Sequence, residues 1–304
     1  MQIGFVGLGK MGLGMASRLV AAGHEVFGYD RDSSSGRAAA AAKVTTLPSL
    51  ETLVYNLSAP RVVWLMLPAG EATRDAVAEL GGLLHAGDVI VDGGNSYYRD
   101  AAMHAATLAR DGIGFVDVGT SGGVRGETHG FCLMIGGAPA VAERLAPLFE
   151  SLAIPGGWAR LGPNGAGHFA KMVHNGIEYG VMQAYAEGFA MLEAKHDLDI
   201  DLAEVAAIWQ NGSVIRSWLL DLIAETFAND QTLADIAPRV ADSGEGRWAV
   251  QEAVDLNLPA PVITAALLAR LGTREPRGFA ARLLAAMRQR FGGHAIEREG
   301  PNRE

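Results

Sequence analysis

Four polar residues in the middle of the chain, Lys171, His174, Asn175 and Glu178, recur at helical spacing. At about 100° per residue, positions i, i+3, i+4 and i+7 share one face of a helix. A lysine that desolvation keeps neutral can take a proton from a hydroxyl group, and a nearby carboxylic acid can return a proton later. Lys171 and Glu178 suit these two roles, so this face predicts an acid–base site.

A polar face is also ordinary on a solvent-exposed helix, where Lys171 and Glu178 would be surface charges. Apolar residues cover the other directions of this helix, namely Phe169, Met172, Val173, Ile177, Val181 and Met182. That distribution favours a helix surrounded by protein, whose polar side chains need partners or a cleft. Periodicity alone leaves both interpretations open.

A glycine motif near the N-terminus, Gly7-Leu8-Gly9-Lys10-Met11-Gly12, lies between a predicted strand and a predicted helix. In this context Gly7 permits a tight turn, Gly9 lets the backbone approach a pyrophosphate, and Gly12 allows close packing of helix on strand. The unpaired N–H groups at the helix N-terminus would bind the phosphates. The alternative is a glycine-rich turn that only caps a helix.

Asp30 ends the second predicted strand, 18 residues after Gly12. A carboxylate there can bind the adenosine ribose hydroxyls of a dinucleotide, and it would repel the 2′-phosphate of NADP. The spacing therefore favours NAD, although the neighbouring Arg31 could hold a 2′-phosphate instead. With NAD as the hydride acceptor, Lys171 would deprotonate a hydroxyl that is being oxidised.

Two further glycine-rich segments each follow a predicted strand. They are Asp92-Gly93-Gly94-Asn95-Ser96 and Gly119-Thr120-Ser121-Gly122-Gly123. Ligands of open α/β sheets bind outside the carboxyl ends of the strands, so both segments belong near a site. Their N–H groups, with Asn95 and Ser121, could bind a carboxylate or hydroxyls. Plain turns are the alternative.

The elements that must position these residues change character along the chain. Short apolar runs at 3–6, 25–29, 61–67, 88–91, 114–118 and 131–135 alternate with helical patterns at 11–22, 72–84, 98–110 and 139–152. After Gly156-Gly157 the pattern is helical, over 163–193 and then near 201–210, 214–228, 246–256, 261–271 and 277–290. We predict a doubly wound, Rossmann-like α/β domain over residues 1–160 and an all-α domain over 161–304.

The composition limits the class of protein. Of 304 residues, 49% are hydrophobic and 19% charged, as in folded globular chains. The 25 Lys and Arg against 34 Asp and Glu give a net charge of −9, which opposes binding to nucleic-acid phosphates. No apolar stretch of about 18 residues and no export signal is visible, and Cys132 is the one cysteine. We expect a cytoplasmic protein without nucleic-acid or membrane partners.

These motifs together resemble the short-chain form of the decarboxylating 6-phosphogluconate dehydrogenase family. The resemblance extends from the glycine motif to Phe291-Gly292-Gly293-His294, and residues 165–179, GAGHFAKMVHNGIEY, are its most specific segment. It implies oxidation of 6-phosphogluconate at C3, loss of CO2 and protonation of the enediol to ribulose 5-phosphate, without a metal. Lys171 would then be the general base and later acid, and Glu178 the acid that protonates C1.

The resemblance also assigns ligands. Substrate carboxylate and hydroxyls would be held by Asn95, Ser121, Gly122, Gly123, His174 and Asn175. Tyr179 and Arg270 would contact the phosphate, while Arg288 and His294 would reach in from the partner of a homodimer. The cofactor would contact the glycine motif, Asp30, Arg31, Asn95 and the turn Leu67-Pro68-Ala69-Gly70. NAD is expected, with NADP possible.

One segment departs from the family. Long-chain members carry Lys-Gly-Thr-Gly-Lys-Trp where this chain has Ser243-Gly244-Glu245-Gly246-Arg247-Trp248. Glu245 would repel a phosphate dianion unless it points away, and Arg247 is either a compensating ligand or a surface residue beside a buried Trp248. A dehydrogenase of another β-hydroxyacid, such as 3-hydroxyisobutyrate, therefore stays an alternative. So does a dinucleotide-sensing protein without turnover.

Overall fold

The computed structural model describes residues 1–275 and 278–292. Its strands are β1 (Gln2–Val6), β2 (Glu25–Tyr29), β3 (Thr45–Thr46), β4 (Val62–Leu65), β5 (Val89–Asp92), β6 (Gly114–Ser121), β7 (Phe131–Gly137) and β8 (Ala153–Gly162). Its α-helices are α1 (Lys10–Ala21), α2 (Gly36–Ala41), α3 (Leu50–Asn56), α4 (Glu71–Leu83), α5 (Tyr98–Leu108), α6 (Gly126–His129), α7 (Pro139–Leu152), α8 (Ala166–Ala194), α9 (Leu202–Trp209), α10 (Trp218–Asn229), α11 (Glu245–Asp255), α12 (Pro261–Gly272) and α13 (Phe279–Gly292).

One sheet of eight strands organises the N-terminal half, in the order β3-β2-β1-β4-β5-β6-β7-β8. The alternation of strands and helices confirms the predicted Rossmann-like class. All neighbours are parallel except β6 and β7, which are antiparallel. The reversal has a simple cause, because residues 122–130 are too few for the crossover that parallel strands require. The sequence analysis missed β3 and β8, and the Gly156-Gly157 turn lies inside β8.

The sheet separates two apolar cores, as helices on both faces require. One core contains Phe5, Trp64 and Phe149, and the rings of Phe5 and Trp64 stack with 6.3 Å between centroids. The other contains Leu53, Leu80 and Phe115. These cores fix the strands, so the loops at their carboxyl ends have a rigid support.

The chain forms two compact units, Met1–Gly176 and Ile177–Glu304, and α8 begins in the first. The start of α8 is held by Asp117 of β6, whose carboxylate accepts hydrogen bonds from the N–H groups of Gly165 and His168, at 2.7 and 2.9 Å. At Gly167 a Cβ would collide with the backbone of β6 and β7. The α8 segment to residue 176 is thereby fixed on the sheet. The predicted division near residue 160 stays a prediction.

In the part that the structure describes, the second unit contains helices and connecting loops and no strand. Asp201 and Ser217 cap α9 and α10 with side-chain oxygens that accept backbone N–H groups. Tyr185, Phe189 and Phe227 form one small core, and Tyr179 forms another with Ala266 and Leu267. Among the described residues, no helix has the length and apolar character needed to cross a membrane.

Candidate active site

The glycine motif forms the turn between β1 and α1, as the sequence predicts. Gly7 has a φ of +92°, and a Cβ on Gly12 would collide with the carbonyl oxygen of Gly7. Gly9 precedes α1, and a Cβ built on it meets nothing within 4 Å. The N-terminus of α1 is thus accessible, and the glycines beside it carry no side chain that would block a dinucleotide pyrophosphate.

Asp30 follows β2, and two backbone N–H groups hold its carboxylate. Oδ2 accepts from Leu8 at 2.6 Å and Oδ1 accepts from Asp32 at 2.8 Å. Each carboxylate oxygen keeps a second lone-pair site, so this geometry leaves room to accept ribose hydroxyls. The Leu8 side chain itself is buried in the core.

A cleft of about 700 Å³ joins these features. Of the predicted cofactor residues, it is lined by Gly7, Gly9, Lys10, Met11, Gly12, Asp30, Arg31, Leu67 and Pro68. Leu8, Ala69 and Asn95 are not among its lining residues. The helix α4 was predicted over 72–84, but its place at the cofactor cleft was not, and it contributes Ala72, Asp75, Ala76 and Glu79 to one wall. Their i, i+3, i+4, i+7 spacing was the signal that could have identified this wall.

The structure brings the predicted substrate residues of β6 and α8 together. The hydroxyl oxygen of Ser121 lies 3.3 Å from Nε2 of His174. Nδ1 of the same ring lies 3.5 Å from Nζ of Lys171 and 3.2 Å from Oδ1 of Asn175. His174 therefore links the strand loop to the candidate base through both ring nitrogens.

Close packing of α8 on β6 sets the position of Lys171. A Cβ on Gly119 would stand 2.5 Å from the Cβ of Lys171 and 2.6 Å from the carbonyl oxygen of Gly167. Only a glycine admits the helix this close. Gly122 and Gly123, also predicted ligands, form the turn that follows Ser121.

Asn95 is exposed on the loop after β5, and buried polar groups lie beneath it. The carboxylate of Asp92, which is 1% exposed, accepts a hydrogen bond from the Gly94 N–H group at 3.1 Å. The Thr120 hydroxyl donates to the Gly93 carbonyl at 3.4 Å, which joins this loop to the carboxyl end of β6. Both predicted loops thus belong to one edge of the sheet.

His104 of α5, whose ring packs against Phe115 of β6, was not singled out in the sequence. It is 8% exposed, and its Nε2 has no hydrogen-bond partner in the described part of the chain. Burial lowers the pKa of His104, the charge of Arg74 adds to the lowering, and the charges of Asp92 and Asp100 oppose it. The ring is therefore a neutral support at neutral pH.

In the helical unit, the side chains of Tyr179 and Arg270 are in contact. The Arg270 guanidinium carbon is 3.6 Å from the centroid of the Tyr179 ring. Tyr179 is 6% exposed, and its hydroxyl has no hydrogen-bond partner among the described residues. A buried, unpartnered hydroxyl beside a cation is a suitable ligand for an anionic oxygen.

The departing segment begins α11. Glu245 is buried and accepts a hydrogen bond from the Ser243 hydroxyl, while Gly246 packs against the Tyr179 ring. Arg247 is exposed and forms an ion pair with Asp242. Trp248 is half-buried, so the expectation of a buried tryptophan was wrong. Because α11 begins at Glu245, the indole lies within the first turn of a helix rather than in a core.

Glu178 lies on α8, seven residues after Lys171, and it is half-buried. Arg288 is exposed on α13. His294 lies outside the described residues, so its predicted role is not addressed by the structure.

Family models match both halves of the chain. Residues 2–159 match the NAD-binding domain of 6-phosphogluconate dehydrogenase, and residues 167–275 match the C-terminal domain of the same enzyme. Among solved structures, a Plasmodium falciparum 6-phosphogluconate dehydrogenase is similar with a TM-score of 0.83 and 28% identity, covering 100% of this chain and 67% of that one. A Mycobacterium tuberculosis 3-hydroxyisobutyrate dehydrogenase is similar with a TM-score of 0.73 and 26% identity, and the match covers 92% of this chain and 94% of that one.

The relatives found by sequence carry the name of the same enzyme. An NAD-dependent, decarboxylating 6-phosphogluconate dehydrogenase of Haloferax volcanii is 41% identical over 301 residues, which cover 98% of this chain and 99% of the relative. An NADP-dependent, decarboxylating 6-phosphogluconate dehydrogenase of Bacillus subtilis is 37% identical over 284 residues, which cover 88% of this chain and 60% of the relative. With the dinucleotide cleft and the Lys171–His174 site in place, the chain belongs to the 6-phosphogluconate dehydrogenase family.

Proposed function

We propose that the protein oxidises 6-phosphogluconate at C3, releases CO2 from the resulting β-keto acid and protonates the enediol to give ribulose 5-phosphate. The glycine motif and Asp30 would hold NAD, which would supply the acceptor for the hydride from C3. The observation that carries this proposal is the hydrogen-bonded series Ser121–His174–Lys171 at the carboxyl end of β6. It presents an amine to a substrate hydroxyl next to groups that can hold a sugar acid.

Lys171 would act first as the base. Its position against Gly119 and beside the His174 ring restricts the amine to one side of α8. A neutral Lys171 takes the C3 hydroxyl proton as the hydride leaves, and it returns that proton to the carbonyl oxygen when CO2 is lost. Asn95, Ser121, Gly122, Gly123, His174 and Asn175 would hold the carboxylate and hydroxyls.

Glu178 would protonate C1 of the enediol. It follows Lys171 by two helical turns of the same continuous helix, so both side chains project on one side of α8. Placing the acid and the base on one rigid element fixes their spacing. That spacing suits two proton transfers at different carbon atoms of one substrate.

Tyr179 and Arg270 would bind the phosphate of the substrate. The buried Tyr179 hydroxyl can donate a hydrogen bond, and Arg270 supplies a positive charge against the same ring. Arg288 and His294 would be supplied by the partner of a homodimer. Exposed apolar side chains on α12 and α13 support such a dimer, among them Val262, Leu268, Phe279, Leu283, Leu284 and Met287. We place the enzyme in the cytoplasm.

NAD would be preferred over NADP. Asp30 is fixed by the N–H groups of Leu8 and Asp32, so its carboxylate cannot swing away from a ribose without losing both bonds. A fixed negative charge at the ribose favours hydroxyls and disfavours a 2′-phosphate.

A dehydrogenase of an unphosphorylated β-hydroxyacid, such as 3-hydroxyisobutyrate, is the second candidate. Glu245 favours it, because this buried carboxylate lies next in sequence to Gly246, which touches the ring of Tyr179. A negative charge near the phosphate ligands would oppose a phosphate dianion.

The test is the initial rate of nicotinamide reduction with 6-phosphogluconate, measured in parallel with equal concentrations of NAD and NADP. Faster reduction with NAD, with release of one CO2 per NADH, supports both the substrate and the cofactor preference. Faster reduction with NADP refutes the preference alone. No reduction with either, but turnover of 3-hydroxyisobutyrate, supports the second candidate. Cofactor binding without turnover of any β-hydroxyacid supports a dinucleotide-sensing protein.

A further inference from the structure

The charged residues of the dinucleotide cleft are divided between its ends. Lys10 belongs to the glycine motif, where the α1 N-terminus adds positive potential for a pyrophosphate. Beyond the motif, the cleft is lined by Asp30, Asp75 and Glu79 against the single cation Arg31. None of its lining residues comes from the loops after β5 and β6. The cleft is therefore the half of the dinucleotide path that runs from the pyrophosphate to the adenosine.

Asp75 and Glu79 line the cleft from α4, four residues apart on one face of the helix. Both carboxylates are exposed to solvent. Within the part of the chain that the structure describes, no hydrogen bond or ion pair engages either of them, and none joins Arg31 to an acid. In the described part of the chain, these two carboxylates are therefore not paired with Lys10 or Arg31, the two cations that line the cleft.

We propose that Asp75 and Glu79 are specificity-determining residues that exclude the 2′-phosphate of NADP from the adenosine end of the cleft. This inference extends the proposed preference for NAD, which otherwise depends on Asp30 alone. Asp30 would act by direct contact, because its carboxylate would accept hydrogen bonds from the ribose hydroxyls. Asp75 and Glu79 would act by electrostatic repulsion at a distance. NADP differs from NAD by a phosphate group that carries about −1.5 to −2 charges at neutral pH.

The expected size of the effect follows from exposure. Exposed charges interact through water and are screened by salt, so each carboxylate should disfavour NADP about two- to fivefold. Two carboxylates together should give roughly tenfold. The effect must shrink as ionic strength rises, whereas a contact of the Asp30 type is less sensitive to salt.

The test is the dissociation constant of each binary complex, measured by isothermal titration calorimetry without substrate. Wild type, Asp75→Asn, Glu79→Gln and the double variant are titrated with NAD and NADP at about 20 and about 200 mM salt. AMP and adenosine 2′,5′-bisphosphate serve as probes that lack the nicotinamide half. Glu143→Gln is the matched control, because it removes an exposed charge from α7, which does not line the cleft.

We expect the ratio Kd(NADP)/Kd(NAD) to fall about two- to fivefold in each single variant and roughly tenfold in the double variant at low salt. Most of the change should be tighter binding of NADP, and the same change should appear with adenosine 2′,5′-bisphosphate against AMP. A ratio that moves no more than in Glu143→Gln overturns the inference, as does an equal change at both salt concentrations. The wild-type ratio tests the NAD preference separately, because the variants are judged by their change from it.

Discussion

Gly119 and Lys171 are in contact across the interface between β6 and α8, and this contact requires glycine. A Cβ at position 119 would come within 2.5 Å of the Cβ of Lys171. The candidate base is thus positioned by the absence of a side chain on the strand below it. A residue with no functional group thereby determines where the amine lies.

Gly119→Ala should displace Lys171 while leaving a folded protein. Overpacking at such a site costs about 1 to 3 kcal/mol of unfolding free energy, and a shift of the base by about 1 Å can cost roughly 100-fold in kcat. Steady-state kinetics with urea unfolding measure both quantities. Gly188→Ala is the control, because a Cβ there meets nothing within 4 Å. Equal kcat values for Gly119→Ala and wild type would show that the contact does not position the base.

Lys171→Met should abolish turnover and leave dinucleotide binding near normal, because the amine would act on the substrate in the proposed reaction and Lys171 does not line the dinucleotide cleft. We expect less than about a tenth of the wild-type kcat, with Kd for NAD changed less than about twofold. Lys195→Met, which removes an exposed lysine paired with Asp197, should retain activity. Activity above a tenth of wild type in Lys171→Met is incompatible with its role as the base.

Asp30→Ala should weaken NAD far more than NADP. Loss of the hydrogen bonds between the ribose hydroxyls and the Asp30 carboxylate should raise the Kd for NAD about tenfold. The Kd for NADP should rise less, because the variant also removes the repulsion between Asp30 and the 2′-phosphate. Asp30 also accepts a hydrogen bond from the Leu8 N–H group of the glycine motif. Loss of this bond should weaken both cofactors equally, so it cancels in the ratio of the two Kd values. Glu143→Gln, which removes an exposed charge from α7 away from the cleft, should leave the ratio unchanged. Equal weakening of both cofactors by Asp30→Ala would refute ribose recognition.

Tyr179→Phe should separate function from stability. Its hydroxyl has no partner in the described protein, so its removal should not lower the free energy of unfolding. A lost hydrogen bond to the substrate phosphate should raise KM for 6-phosphogluconate about tenfold. Tyr185→Phe should do the reverse, because that hydroxyl donates to the Ile215 carbonyl and lies 2.9 Å from the Ser217 hydroxyl. An unchanged KM in Tyr179→Phe would remove the hydroxyl from phosphate binding.

His104 should make the protein less stable in acid. Burial lowers its pKa in the folded state, whereas the unfolded chain titrates near 6.5. Below about pH 6.5 the unfolded chain therefore binds a proton that the folded chain does not, and the free energy of unfolding falls as pH falls. Urea unfolding at pH 7.5 and 5.5 measures this loss.

His104→Asn should reduce that loss. His24, whose pKa burial also lowers, should contribute a separate part, so His24→Asn is the comparison and the two effects should add. An identical pH dependence in wild type and His104→Asn would contradict the burial of a neutral ring.

Local patterns predicted most of the elements, because apolar periodicity is a local property of the chain. The alternation at 25–29 and the helical run at 163–193 correspond to β2 and to α8. The direction of β7 and the two-residue strand β3 depend on neighbours elsewhere in the sheet, so no local pattern contains them. The Gly156-Gly157 pair indicated a break in structure, yet β8 runs through it.

The candidate site was predictable in its residue types and only partly in its connections. Ser121 and His174 were each identified from their own motif, but their hydrogen bond joins residues 53 positions apart. Gly119 was noted as the start of a turn, and its contact with Lys171 follows only from the packing of α8. His104 gave no signal, because a lone histidine in an amphipathic helix is ordinary until its burial is known.

The hydrogen bond from Leu8 to Asp30 has a consequence for how this enzyme could change its electron acceptor, in a laboratory or over evolutionary time. The carboxylate that would read the ribose also holds the loop that would bind the pyrophosphate, so replacing it damages affinity for any dinucleotide. From the proposed NAD preference, a gradual route to NADP would therefore begin at Glu79 or Asp75, whose side chains make no hydrogen bond or ion pair with the described residues, and would reach Asp30 last. Libraries that keep Asp30 in the early rounds should yield more active variants than libraries that begin there.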